Sequence, residues 1–244
     1  MALCSKQGPW TELLNQGPEM TWLRSTKIEH YASIKAKNHG KIDSILNKVF
    51  DSRFSKKLWR TRKLDLKNFA FSKIGENELE IDLHENWTNL VKKCLKGFEY
   101  ALENWEFDYL IRINSTAYVD MEALTKSLKN SDFPDYAGPL ISKKRFVSGW
   151  AIILSKRALE LLVTESKQEV IFDDEFIGNT LERHAIYPVG LPYFEVNNEK
   201  KIIEILNLDS QDIALWRFKS VNKSNMRNDA NLMKLFHQQR CHYE

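Results

Sequence analysis

A chain of 244 residues, 43% hydrophobic and 28% charged, has an ordinary globular composition and enough length to bury a sizeable core in one domain or two. Its formal charge of +3 is too small an excess to argue for nucleic acid and suits an anionic small-molecule partner. Cys4, Cys94 and Cys241 show neither CxxC nor metal-ligand spacing, and no window approaches the roughly 20 apolar residues of a membrane span, so a disulfide framework, a zinc site and a transmembrane segment are not expected.

The first eighty residues carry weak signals. Trp10, Leu13 and Leu14, then Met20–Leu23, suggest short segments with aromatic anchors, and Ile42–Phe50 has helical spacing. Positions 87, 90, 91, 94, 95, 98, 101, 102 and 105 are all apolar, an i, i+3, i+4 stripe that predicts a long helix facing a core. Asp108–Ile113 then reads as a strand buried on both faces, as in a parallel sheet, and ends in Asn114-Ser115-Thr116.

Asp120–Leu128 predicts a helix, Tyr136–Ser142 a strand, and Phe146–Leu154 a further strand interrupted by Gly149. Ser155 is placed to cap a helix whose apolar face is Ala158, Leu159, Leu161 and Leu162. Asp173 opens another helix, with Phe176, Ile177, Thr180 and Leu181 inward. Ile186–Val189, Ile202–Leu206 and Ala214–Phe218 are strand candidates, and Asp229–Gln238 is a last helix. The alternation of strand and helix makes the class α/β. No repeat or linker divides the chain, so residues 1–244 are expected to form a single domain.

Three stretches concentrate the chemistry. Strand ends in α/β sheets are where ligands bind, which draws attention to Arg112 followed by Asn114, Ser115 and Thr116. Ser148-Gly149-Trp150 offers a backbone that a ligand can approach and an aromatic face. Asp173-Asp174-Glu175 puts three acids in one helical turn; one would serve the helix dipole, while three repel one another, which suggests a chemical use.

In order and spacing, residues 80–240 resemble the active-site frame of glycosyltransferases of the GT-A type, which use nucleotide-sugar donors. In the galactosyltransferase and Fringe-like families a hydrophobic strand is followed by acids that hold a divalent cation. Asn114, Ser115 and Thr116 occupy those positions here, and neutral oxygens make a poor site for a hard cation. The resemblance therefore implies no metal, with the triplet lining the donor pocket. A turn closure or a glycosylation sequon, alongside Asn86-Trp-Thr88 and Asn222-Lys-Ser224, are the other uses of such a triplet.

Late basic residues resemble the arrangement in the core-2 branching N-acetylglucosaminyltransferases, which work without metal. Arg112, Arg217 and Lys219 are the implied diphosphate partners, with surface ion pairing the competing use. An acidic run followed by Gly178 implies Asp174 as base on the galactosyltransferase pattern, and Glu175 on the branching-enzyme pattern. Gly149 and Trp150 fall where acceptor-binding residues lie.

The expected reaction is an inverting, metal-independent transfer of a hexose or N-acetylhexosamine from a nucleotide diphosphate to a glycan hydroxyl. A protein that binds carbohydrate or nucleotide on the same fold without catalysis is the alternative. The expected partners are a nucleotide-sugar donor and a glycan acceptor, with no nucleic acid. Reduced cysteines and no signal-peptide pattern in MALCSKQGPW point to a bacterial or viral cytoplasmic setting, or to a Golgi lumen if an anchor has been lost.

Overall fold

The computed structural model describes residues 1–3, 10–25, 33–37, 62–63, 71–73, 78–84, 89–141, 145–165, 167–168, 172–207, 213–220 and 227–241. The strands are β1 Ala2–Leu3, β2 Ser33–Lys37, β3 Arg62–Lys63, β4 Phe71–Lys73, β5 Glu78–His84, β6 Tyr109–Ile113, β7 Ala117–Val119, β8 Tyr136–Gly138, β9 Ala151–Ser155, β10 Lys167–Gln168, β11 Val189–Gly190, β12 Tyr193–Val196 and β13 Leu215–Phe218. The helices are α1 Trp10–Gln16, α2 Trp22–Ser25, α3 Leu90–Asn104, α4 Met121–Asn130, α5 Lys156–Thr164, α6 Asp173–Arg183, α7 Glu199–Asn207 and α8 Asp229–Cys241, with a 3-10 turn at Pro18–Met20.

The architecture is mixed α/β. Its main sheet runs β11-β8-β9-β6-β1-β2-β5-β4, and a smaller one runs β12-β13-β7. Four of the seven described pairings in the main sheet are parallel; β9 opposes both of its neighbours, β6 and β8, and β4 opposes β5. Beyond β6, β1 pairs parallel with β6 and β2, and β2 parallel with β5.

Successive side chains on β6 alternate faces. Leu110 joins one core cluster with Cys94, Leu95 and Phe98 of α3, Leu159 of α5, and Phe176 and Ile177 of α6. Ile113 joins the other, with Leu124 of α4 and with Trp216, Phe218 and Phe236 around the small sheet and α8. The long stripe is realised as α3, which begins at Leu90; Trp87 and the expected helix at 42–50 lie outside the described residues.

Capping explains several boundaries. Asp120 accepts from the Ala123 amide at 2.9 Å to start α4, and Ser155 accepts from the Ala158 amide at 3.1 Å to start α5. One expectation is overturned: the apolar run at 202–206 is helical, within α7. Asn198 Oδ1 accepts from the Lys201 amide at 3.0 Å, and Ile202 and Ile205 face inward while Ile203 is exposed. That three-residue period belongs to a helix, whatever the β-branched content.

Candidate active site

The C-terminal end of β6 is tied into its surroundings by backbone. Asn114 N–H donates to the Trp150 carbonyl at 3.1 Å, and Phe218 N–H to the Thr116 carbonyl at 2.9 Å. The Asn114 side-chain carbonyl accepts from both the amide and the hydroxyl of Thr116, at 3.0 and 2.7 Å. This is an Asx-type turn into β7, so the triplet does close a turn. Ser115 and Thr116 are buried, and half-buried Asn114 is the member that meets solvent. Trp22 Nε1 donates to the Ala117 carbonyl at 3.0 Å, which props β7 from the N-terminal segment.

The second wall is the 146–150 turn. The predicted strand 146–154 starts only at Ala151, because the preceding residues donate elsewhere. The Val147 amide goes to the Tyr136 hydroxyl at 2.9 Å, and the Ser148 amide to the Pro139 carbonyl at 2.8 Å. The Gly149 amide goes to Asp174 Oδ2 at 3.0 Å. Tyr136 is fully enclosed and its phenol is pushed far above its usual range by burial, so it stays a neutral anchor for this turn.

The third wall is the first turn of α6. Phe172, at the N-cap, has no capping side chain, and all three acids sit in the first turn. Asp174 uses Oδ2 for Gly149 and Oδ1 for the Glu175 amide, at 2.9 Å. Half-buried Glu175 holds no side-chain partner among the described residues. Asp173 points inward and forms a buried ion pair with Arg112 of β6.

The Arg112 Nε and Nη1 atoms find no hydrogen-bond partner among the described residues. Burial pushes the Asp173 carboxyl up against the lowering effect of Arg112, and Asp173 raises Arg112 in return. Burial, then Asp173, pushes the adjacent Cys94 thiol well up, which leaves it an unreactive packing group.

Geometry therefore joins much of what sequence nominated. Asn114 touches Trp150, Gly149 touches Asp174, and Arg112 touches Asp173. Two nominations change character. Arg112 is enclosed and engaged with Asp173, so it presents no face to a diphosphate. Trp150 is 2% exposed and packs on Tyr193 with ring centroids 5.6 Å apart, so it does not offer a ring to an acceptor.

Arg217 pairs with Glu195 at 3.3 Å, opposite Ala117 in the small sheet. Lys219, one residue beyond β13, is exposed and has no side-chain partner among the described residues. The sequence also has basic clusters at 56–63 and 143–145; residues 56–61 and 143–144 lie outside the described residues, and Arg145 is exposed and pairs with Glu182 at 2.8 Å.

Sequence reasoning missed Tyr136 and Tyr193 as parts of this frame, and it placed Asp173 among the acids without its pairing to Arg112. Asp173 had a signal: Arg112 lies on the same strand face as Leu110, and a buried arginine requires a carboxylate. Two cavities lie elsewhere. One of about 120 Å³ is lined by Trp22, Trp105, Phe107 and Tyr109, and one of about 530 Å³ by Tyr109, Leu124, Leu128 and Phe133. Both are apolar spaces on the opposite face of β6 from Arg112. No helix among the described residues is long and apolar enough to cross a membrane.

No family model and no curated protein matches the chain. Solved structures do. The galactosyltransferase LgtC in complex with donor and acceptor sugar analogues is 8% identical, with 98% of this chain and 95% of that chain covered, at a TM-score of 0.43. An active-site mutant of LgtC is 8% identical over the same shares, at a TM-score of 0.45. Similarity at that level assigns no activity to this chain.

Proposed function

We propose that the chain is a glycosyltransferase with a GT-A-like fold, working as one domain. It moves a hexose or N-acetylhexosamine from a nucleotide diphosphate to a hydroxyl of a glycan. The observation that supports this best is the Gly149 amide on Asp174 Oδ2 at 3.0 Å, next to the strand end at Asn114. It sets a carboxylate, a backbone turn and a strand terminus side by side, and the carboxylate is the group that could serve as base in a displacement at an anomeric carbon.

In the proposed reaction Asp174 takes the proton of the acceptor hydroxyl as that oxygen attacks the anomeric carbon. The bond to the diphosphate oxygen breaks on the opposite side, so configuration inverts and the nucleotide diphosphate leaves. The turn Asn114-Ser115-Thr116 borders the donor through half-buried Asn114, with Ser115 and Thr116 enclosed behind it. Their neutral oxygens favour a mechanism without a hard cation. With Arg112 enclosed, exposed Lys219 and, if it leaves Glu195, Arg217 would offset the leaving charge.

One observation favours a second choice of base. Both Asp174 oxygens already accept backbone amides, whereas the Glu175 carboxylate is unengaged among the described residues. Transfer assays with UDP-, GDP- and dTDP-sugars in EDTA, comparing Asp174→Asn with Glu175→Gln, decide the matter. The expected result is turnover in chelator that falls about 10²-fold or more in Asp174→Asn, with donor binding retained. Undiminished turnover in Asp174→Asn with loss in Glu175→Gln moves the base by one residue. No transfer or donor binding by the parent chain overturns the proposal.

A further inference from the structure

We propose that Arg112 and Asp173 are positioning residues. Their buried pair clamps the first turn of α6 to the central strand, so that Asp174 is held against the Gly149 turn. The inference deepens the reading of Asp174 as the catalytic carboxylate and rests on it for its consequence in turnover.

The pair joins two of the three walls directly, the end of β6 and the first turn of α6. Arg112 lies two residues before Asn114, on a strand bonded along its length to β9. Asp173 is the first residue of α6 and the immediate neighbour of Asp174. Since Phe172 supplies no capping side chain, the described side-chain ties between the first turn and the sheet region are Asp173 to Arg112 and Asp174 to the Gly149 amide. Without the first, the second is left to hold the carboxylate end of the turn, with Phe176 and Ile177 packed in the core behind it.

Charge acts in the same direction. Asp173 and Asp174 are adjacent carboxylates, and the field of Arg112 reaches both of them. Removing the guanidinium leaves two like charges side by side at one helix end, which drives Asp174 outward. A buried ion pair gives little net stability compared with apolar groups of the same size, since desolvation offsets the attraction. Such a pair is better explained by the geometry it fixes.

The test replaces both members with apolar groups in the whole chain, Arg112→Met with Asp173→Leu, so that no buried charge is left unpaired. The melting temperature is expected to stay within a few degrees of the parent. Protection of the Gly149 amide from hydrogen exchange is expected to fall tenfold or more. Where transfer is measurable, kcat is expected to fall about 10- to 100-fold with the donor KM within twofold, because a small displacement of a reacting group is costly.

Arg112→Lys, which keeps the charge without the guanidinium fork, is expected to lose part of the Gly149 protection, and it serves if the double variant does not fold. Unchanged Gly149 protection in a folded variant overturns the clamp. So does a raised donor KM with kcat intact, which would make Arg112 a phosphate ligand instead. A parent that transfers no sugar, but loses Gly149 protection in the variants, keeps the clamp and refutes only the transferase reading.

Discussion

Gly149→Ala probes the contact on which the site depends. A Cβ at this position would lie 3.1 Å from Asp174 Oδ2 and 3.3 Å from both Asp174 Cβ and Cγ. These distances are tighter than ordinary packing, so Asp174 must give by a few tenths of an ångström. Gly149 is not in the left-handed backbone region, so alanine adds no backbone strain. Stiffening the unfolded chain favours alanine by about 0.4–1 kcal/mol, and overpacking opposes it by about 1–3 kcal/mol. A net loss of roughly 1–2 kcal/mol results, or a melting point lower by about 2–8 °C for a chain of this size.

The displacement falls on the proposed base, so transfer should fall by about tenfold or more, since a 1 Å misplacement is worth about 10²-fold. Asp174→Ala removes Cγ and both oxygens, leaving only the 3.3 Å Cβ contact. In that background Gly149→Ala should cost almost nothing, which gives a coupling of about 0.5–3 kcal/mol in a double-mutant cycle read by urea unfolding. Equal costs in the two backgrounds would refute the reasoning, because the penalty would then come from somewhere other than Asp174.

The same packing sets the outcome of other substitutions. Gly178→Ala would set a Cβ 2.2 Å from Phe146 Cβ, so it should destabilise by about 1–3 kcal/mol despite better helix propensity; thermal unfolding measures this. Tyr136→Phe leaves the buried Val147 amide without its 2.9 Å acceptor and should cost about 1–3 kcal/mol. Because burial raises the Tyr136 phenol above its ordinary 10.0, its contribution is present below that pH and lost as pH climbs further. The parent should therefore lose stability above about pH 10 more steeply than Tyr136→Phe does, which denaturant titrations across pH will show. Arg112→Met alone strands the buried Asp173 carboxylate and should cost about 3–5 kcal/mol, more than the paired replacement with Asp173→Leu.

Legibility in the sequence tracked the strength of the local pattern. Helix α3 was plain because its apolar stripe lasts several turns, and α4 and α5 because Asp120 and Ser155 are capping residues. Ile202–Leu206 misled because β-branched residues were given more weight than spacing; Asn198 three residues before Lys201 was the overlooked cap. Strand β2 is hard to read because Ser33–Lys37 contains a buried lysine, Lys35, whereas β5 alternates strictly, with Leu79, Ile81 and Leu83 inward, an overlooked period-two signal. The site was half legible. Residue order marked Asn114, Gly149 and Asp174, and the structure joins them through Trp150 and the helix turn. Residue order alone makes Arg112 and Trp150 look available although both are enclosed; for Arg112 the strand face shared with Leu110 is the sign of its burial.

The central claim is that an activated sugar sits between the strand end and the first turn of α6. A crystal structure of the chain soaked in EDTA with a nucleotide sugar that raises its melting point tests this most directly. The account predicts the diphosphate beside Asn114 and Lys219, and the sugar against Gly149 within reach of Asp174. A donor bound in the apolar cavities on the other face of β6, or one that leaves Asp174 untouched, would contradict it.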